Sequence, residues 1–113
     1  MTESQLNTAL VAIVPRVFPD VAPEGTAMPY CTWQQIGGTP VNFMSESSYK
    51  KNARIQINVW SKTRKEAMTL IRQIEDAMVL APLYGFVESG ATATMDEDTK
   101  LRGAMQDFSF WIE

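Results

Sequence analysis

Arg54-Ile55-Gln56-Ile57-Asn58-Val59-Trp60, followed at once by Ser61-Lys62-Thr63-Arg64-Lys65-Glu66, decides the fold. Ile55, Ile57 and Val59 alternate with Arg54, Gln56, Asn58 and Trp60, the period of two that marks a half-buried strand. Thr63 and Glu66 then stand at capping-box spacing, so a helix begins after almost no linker. A nucleotide-binding enzyme places glycines at such a strand-to-helix turn, to bring phosphate onto backbone N–H groups. This turn holds Ser, Lys, Thr and Arg and no glycine. It serves architecture rather than a small ligand.

Downstream, the helix runs over roughly 63–80, with Ala67, Leu70, Ile71, Ile74, Ala77 and Met78 as its apolar stripe. Burying its four large members contributes about 1.5–3 kcal/mol each before opposing costs, which docks the helix on a sheet. Pro82 and Gly85 mark its exit. Phe86–Thr94 predicts a third strand, weakened by Gly90 and two alanines, and 95–100 a polar turn. Ala104–Ile112 alternates Gln106, Phe108, Phe110 and Ile112 against Met105, Asp107, Ser109 and Trp111, a fourth strand. Upstream, Leu6, Ala9, Leu10, Ile13 and Val14 predict a helix over 3–14, capped near Thr2 and ended by Pro15. Residues 15–29 carry four prolines and predict a connector, and Tyr30–Ile36 the first strand. Residues 38–52 lack periodicity and predict a long loop, a kind that in compact domains is usually functional or mobile. The predicted order is αββαββ. This is an α+β chain with a mainly antiparallel four-stranded sheet and two helices on one face, as a single domain over 1–113.

The charge balance narrows the partners. Ten basic residues against thirteen acidic ones give a net charge of −3 and a pI near 4.9. Proteins that grip DNA carry a basic surplus, because phosphate contacts supply most of the affinity. Tight DNA binding is therefore not expected here. No apolar run approaches the roughly 18–20 residues that span a bilayer, so no membrane partner is expected. A single cysteine, Cys31, and an N-terminus without a basic and then apolar leader fit folding in a reducing cytoplasm.

Catalytic chemistry has little to work with. There is no histidine, which removes the commonest general base and metal ligand. Cys31 lacks a histidine to activate it and reads as a small buried thiol. Asp96-Glu97-Asp98 lacks the glycine and distal glutamate of a calcium loop and reads as a solvated turn. Glu88 and Asp107 are the remaining carboxylate pair, but charged residues oppose one another on any wet sheet face. No catalytic residue, cofactor or metal is expected.

The unexplained feature is surplus contact surface. With both helices on one face, Trp60 stands on the other with Arg54, Gln56 and Asn58, and Trp and Arg dominate energetically hot interfaces. Phe43, Met44 and Tyr49 in the long loop add adaptable contact surface. These seven residues are the candidate interface. Two functional classes fit it: an assembly subunit, or a small intracellular binding or regulatory module using the Arg54/Trp60 face. An enzyme with a carboxylate site is the third and weakest.

The order of segments favours the first. A helix, Arg16-Val17-Phe18-Pro19-Asp20 with Ala22-Pro23, Pro29-Tyr30-Cys31-Thr32-Trp33, and Ala53–Trp60 leading into helix two resemble the tail-completion, or tail-terminator, proteins of long-tailed bacteriophages. The architecture is similar to that of the tail terminator of phage lambda. The likeness spans about residues 5–112. It implies a structural virion protein, assembled in the host cytoplasm, that forms a hexameric ring on the tail tube, ends tube polymerisation and offers the surface where the head attaches. Its implied partners are copies of itself, the tube protein and the head–tail connector proteins. DNA would pass through without specific binding. Asp96, Glu97 and Asp98 are then candidates to face the lumen. The resemblance implies no reaction and no cofactor.

Overall fold

The computed structural model describes residues 1–38 and 51–112. In chain order its elements are α1 (Glu3–Val11), β1 (Val17–Pro19), β2 (Tyr30–Gly37), β3 (Lys51–Ser61), α2 (Arg64–Met78), β4 (Phe86–Val87), β5 (Thr92–Met95) and β6 (Arg102–Ile112). The fold is α+β, but the expected four-stranded, mainly antiparallel sheet is a six-stranded mixed one. Its order is β1-β2-β3-β6-β4, with β5 pairing β6 beside β4. β1 runs parallel to β2, and the other pairings are antiparallel.

Two corrections account for the extra strands. Residues 15–29 contain β1, where Cys31 N–H donates to Arg16 O and Asp20 N–H to Trp33 O, each at 2.8 Å. The strand expected over 86–94 is instead β4 and β5, separated where Ser89 takes over from backbone pairing. Its hydroxyl accepts from Asp107 N–H at 3.1 Å, and its carbonyl accepts from Gln106 Nε2 at 3.0 Å. Gln106, 1% exposed, also donates to Glu75 Oε1 at 2.6 Å, tying α2 to this segment. The loop expected over 38–52 is shortened at its far end, because β3 already begins at Lys51.

Burial follows the alternation. Along β3, Ala53, Ile55, Ile57, Val59 and Ser61 are buried, while Asn52, Arg54, Gln56, Asn58 and Trp60 are half-buried. The register puts Cys31 and Trp33 of β2, and Ala104, Gln106, Phe108 and Phe110 of β6, on the same face as the buried set. That face meets Ala67, Ile71, Ile74 and Met78 of α2, with Leu6 and Leu10 of α1 in the same cluster. Leu70 and Ala77 complete the expected stripe at its half-buried margin.

Both helices begin as their sequences dictate. Thr2 and Gln5 form a full capping box on α1. On α2 the Thr63 hydroxyl accepts from Glu66 N–H at 3.2 Å, but the Glu66 carboxylate accepts from Ser61 Oγ instead of closing the box. α1 stops at Val11, short of the expected Val14. Pro15 excludes the helical conformation from the residue before it, so the chain closes with turns onto Leu10 O from Ile13 and Val14 N–H.

Candidate interaction surface

The helices leave one face of the sheet open. Across it, Tyr30, Thr32 and Gln34 of β2 stand opposite Trp60, Asn58 and Gln56 of β3. On the other side of β3, Gly103, Met105, Asp107 and Ser109 of β6 stand opposite Trp60, Asn58, Gln56 and Arg54. Four sequence-predicted residues therefore share this face. Arg54 is engaged within the subunit, donating through Nη2 and Nε to Asp107 Oδ2 at 2.9 and 3.3 Å. Its side chain is 42% exposed, so solvent screening leaves the pair little weight in stability. The same contact occupies Asp107, so Asp107 and Glu88 do not form a free carboxylate pair. Asn58 Nδ2 donates to Gln56 Oε1 at 3.4 Å.

Trp60 lies flat because Gly103 gives it room. A Cβ at position 103 would stand 2.9 Å from Trp60 Cε3 and Cζ3. The indole then forms one wall of a cleft of about 320 Å³, with Asp20, Val21 and Ala22 from the segment after β1, Tyr30, Thr32, Asn58 and Asp96. The Tyr30 hydroxyl is pushed above its usual range, first by burial and then by the negative charge of Asp96.

A second surface lies at the β4 edge. Leu80, Tyr84 and Phe86 are 63%, 67% and 60% exposed, with Val79 and Val87 nearly half exposed beside them. β4 bonds only to β6 among the described residues, so its outer edge is unpaired. The sequence reading missed this patch because it assigned 86–94 to an ordinary strand. The available signal was the lack of alternation: Phe86 and Val87 are consecutive, and a strand cannot turn both inward.

Compared with protein-family models, residues 2–113 match tail completion protein gp17. The chain belongs to that family. No curated protein sequence matches it closely enough to count as a relative. Among solved structures it is similar to the gp17 protein of bacteriophage SPP1, at 19% identity and a TM-score of 0.57, over 98% of this chain and 88% of that one. At that identity the structural likeness speaks to the fold. Membership in the family makes this a bacteriophage tail protein of structural kind.

The remaining predicted residues of this tail completion family member divide. Phe43, Met44 and Tyr49 lie outside the described residues. Glu97 and Asp98 are exposed in the β5–β6 turn, and Glu97 faces Lys100 Nζ at 3.4 Å. Asp96 is not a bystander in that turn. Its Oδ1 accepts from Asp98 and Thr99 N–H at 2.9 and 3.3 Å, and its backbone bonds Leu101 and Lys100. Cys31 is fully buried, and burial pushes its thiol up to about 12, the reverse of what a nucleophile needs.

Proposed function

We propose that the subunit assembles into a closed ring, hexameric by the sequence resemblance, on the end of the phage tail tube. The ring ends tube polymerisation and presents the surface to which head–tail connector proteins attach, in a virion component assembled in the host cytoplasm. The observation that carries this reading is the apolar run Val79–Val87 beside an unpaired sheet edge. Monomeric proteins blunt such edges, whereas a ring subunit covers them with its neighbour. A ring needs two unlike, complementary patches on each subunit, and the open face with Arg54, Gln56, Asn58 and Trp60 supplies a second surface distinct from the edge.

The chemistry is binding and closure rather than reaction, and the net charge of −3 suits a lumen that passes DNA without holding it. Glu97 and Asp98, exposed in the turn between β5 and β6, are the proposed lumen acids, while Asp96 lines the open-face cleft. The test is genetic and visual. Particles assembled without the protein should carry tails of irregular length that fail to join heads. Uniform tails joined to heads in its absence would reject the reading.

A further inference from the structure

The open-face cleft has the composition of a receptor for a cation. Asp20 and Asp96 bring two carboxylates to it, Tyr30 and Trp60 two aromatic rings, and none of its lining residues is basic. Both acids are held in place by the backbone. Asp20 occupies the left-handed region at φ 64, with its N–H bonded to Trp33 O, and Asp96 is fixed by the two turn N–H groups on its Oδ1. Thr32 lines the same cleft at 7% exposure. Paired carboxylates, aromatic faces and a hydroxyl suit a guanidinium best, since it donates in a planar fork and stacks on rings.

A matching donor stands elsewhere on the same chain. Arg64 and Arg102, both exposed, line a shallow depression of about 240 Å³ with Ala93, Thr94 and Met95, and no acidic residue lines it. Neither arginine has an ion-pair partner among the described residues. They sit along β5, on the same side of β6 as the apolar β4 edge. We infer that the Asp20–Asp96 cleft receives Arg64 and Arg102 of a neighbouring copy of the chain, as the polar half of the subunit contact. The inference rests on the ring reading, in which unlike patches meet around a closed circle.

The test uses two folded variants. Asp20→Asn with Asp96→Asn removes the cleft charges yet keeps the side-chain oxygen that closes the turn and tolerates a left-handed backbone. Arg64→Glu with Arg102→Glu reverses the donor. Association is measured on purified tail tubes, by crosslinking and mass, for wild type, each variant and their equimolar mixture. Each variant alone should associate at least tenfold more weakly than wild type. The mixture should give one-to-one dimers, because one intact cleft then meets one intact arginine pair and the chain of contacts ends there. Variants that assemble like wild type, or a mixture that yields no dimers, would overturn the cleft contact while leaving the ring standing. A wild-type protein that forms no ring on tubes would overturn the ring reading itself.

Discussion

Phe86→Ser separates an assembly surface from a badly covered core. Phe86 is 60% exposed, and an aromatic side chain carries about 150–250 Å² of contact area, so about 120 Å² faces water in the free subunit. Covering it with a neighbour contributes about 3 kcal/mol at 25 cal/mol per Å². Ordering the side chain returns about 1 kcal/mol, leaving about 2 kcal/mol, or roughly a thirtyfold change in subunit association. The cost to the isolated fold should be much smaller, within about 1 kcal/mol, because Phe86 contributes little more than strand propensity opposite Ser109. Phe108→Ala is the control of opposite character. Phe108 is fully buried and its truncation should cost about 3–5 kcal/mol of stability. Thermal melts read the fold, and sedimentation with purified tail tubes reads association. A Phe86→Ser protein that melts as early as Phe108→Ala would place Phe86 in the core. One that associates like wild type would show the edge to be plain solvent surface.

Three further outcomes follow from the geometry. The Cys31 thiol, raised from 9.0 to about 12 by burial, ionises first in the unfolded chain, so the folded state holds more protons above pH 9. Stability from this group is therefore full below about pH 9 and falls towards pH 12, at up to about 1.4 kcal/mol per pH unit. Urea melts of wild type and Cys31→Ala should converge as pH rises, and parallel curves would refute it. Gly103→Val should cost about 1–3 kcal/mol by forcing the Trp60 indole off the sheet, seen as a lower Tm and a red-shifted indole emission. An unchanged melt would mean that Trp60 swings away freely. Finally, Glu97→Lys with Asp98→Lys should leave the Tm nearly unchanged, whereas Asp96→Ala should lower stability by about 1 kcal/mol through loss of its two turn bonds. Equal effects from both would remove the distinction drawn between them.

What the sequence made legible was periodic. Ile55, Ile57 and Val59, the stripe from Ala67 to Met78, and Phe108 with Phe110 each announce their buried side by spacing alone, and the core is built from them. β1 was illegible because three residues closed by Pro19 carry no period, and their partner at Cys31–Trp33 is distant in sequence. The break between β4 and β5 was half legible. Gly90 and the alanines weakened the expected strand, but nothing local says that the Ser89 hydroxyl replaces the ladder. On the candidate surface, alternation put Trp60 and Arg54 on the open face, yet it could not reveal that Asp107 claims Arg54. The cleft was beyond reach, since it joins Asp20, Tyr30, Trp60 and Asp96 from four separate segments.

The two ends of the sheet offer the proposed ring unlike surfaces. At one end β1 is three residues long and finishes in Pro19, which has no N–H to offer a partner strand. At the other, β4 is a two-residue strand of exposed Phe86 and Val87 with its outer side unpaired. A two-fold contact sets residue i of one copy against residue j of the other and j against i, so unlike patches can meet in it only as a reciprocal pair about the axis. Placed on the axis itself, the arginine depression along β5 would face its own copy, and so would the acidic cleft, and like charges would repel. Each is instead the other's complement. Copies joined by unlike patches continue until the rotation closes, and an uncovered apolar edge at every step makes closure the state that leaves least of it in water.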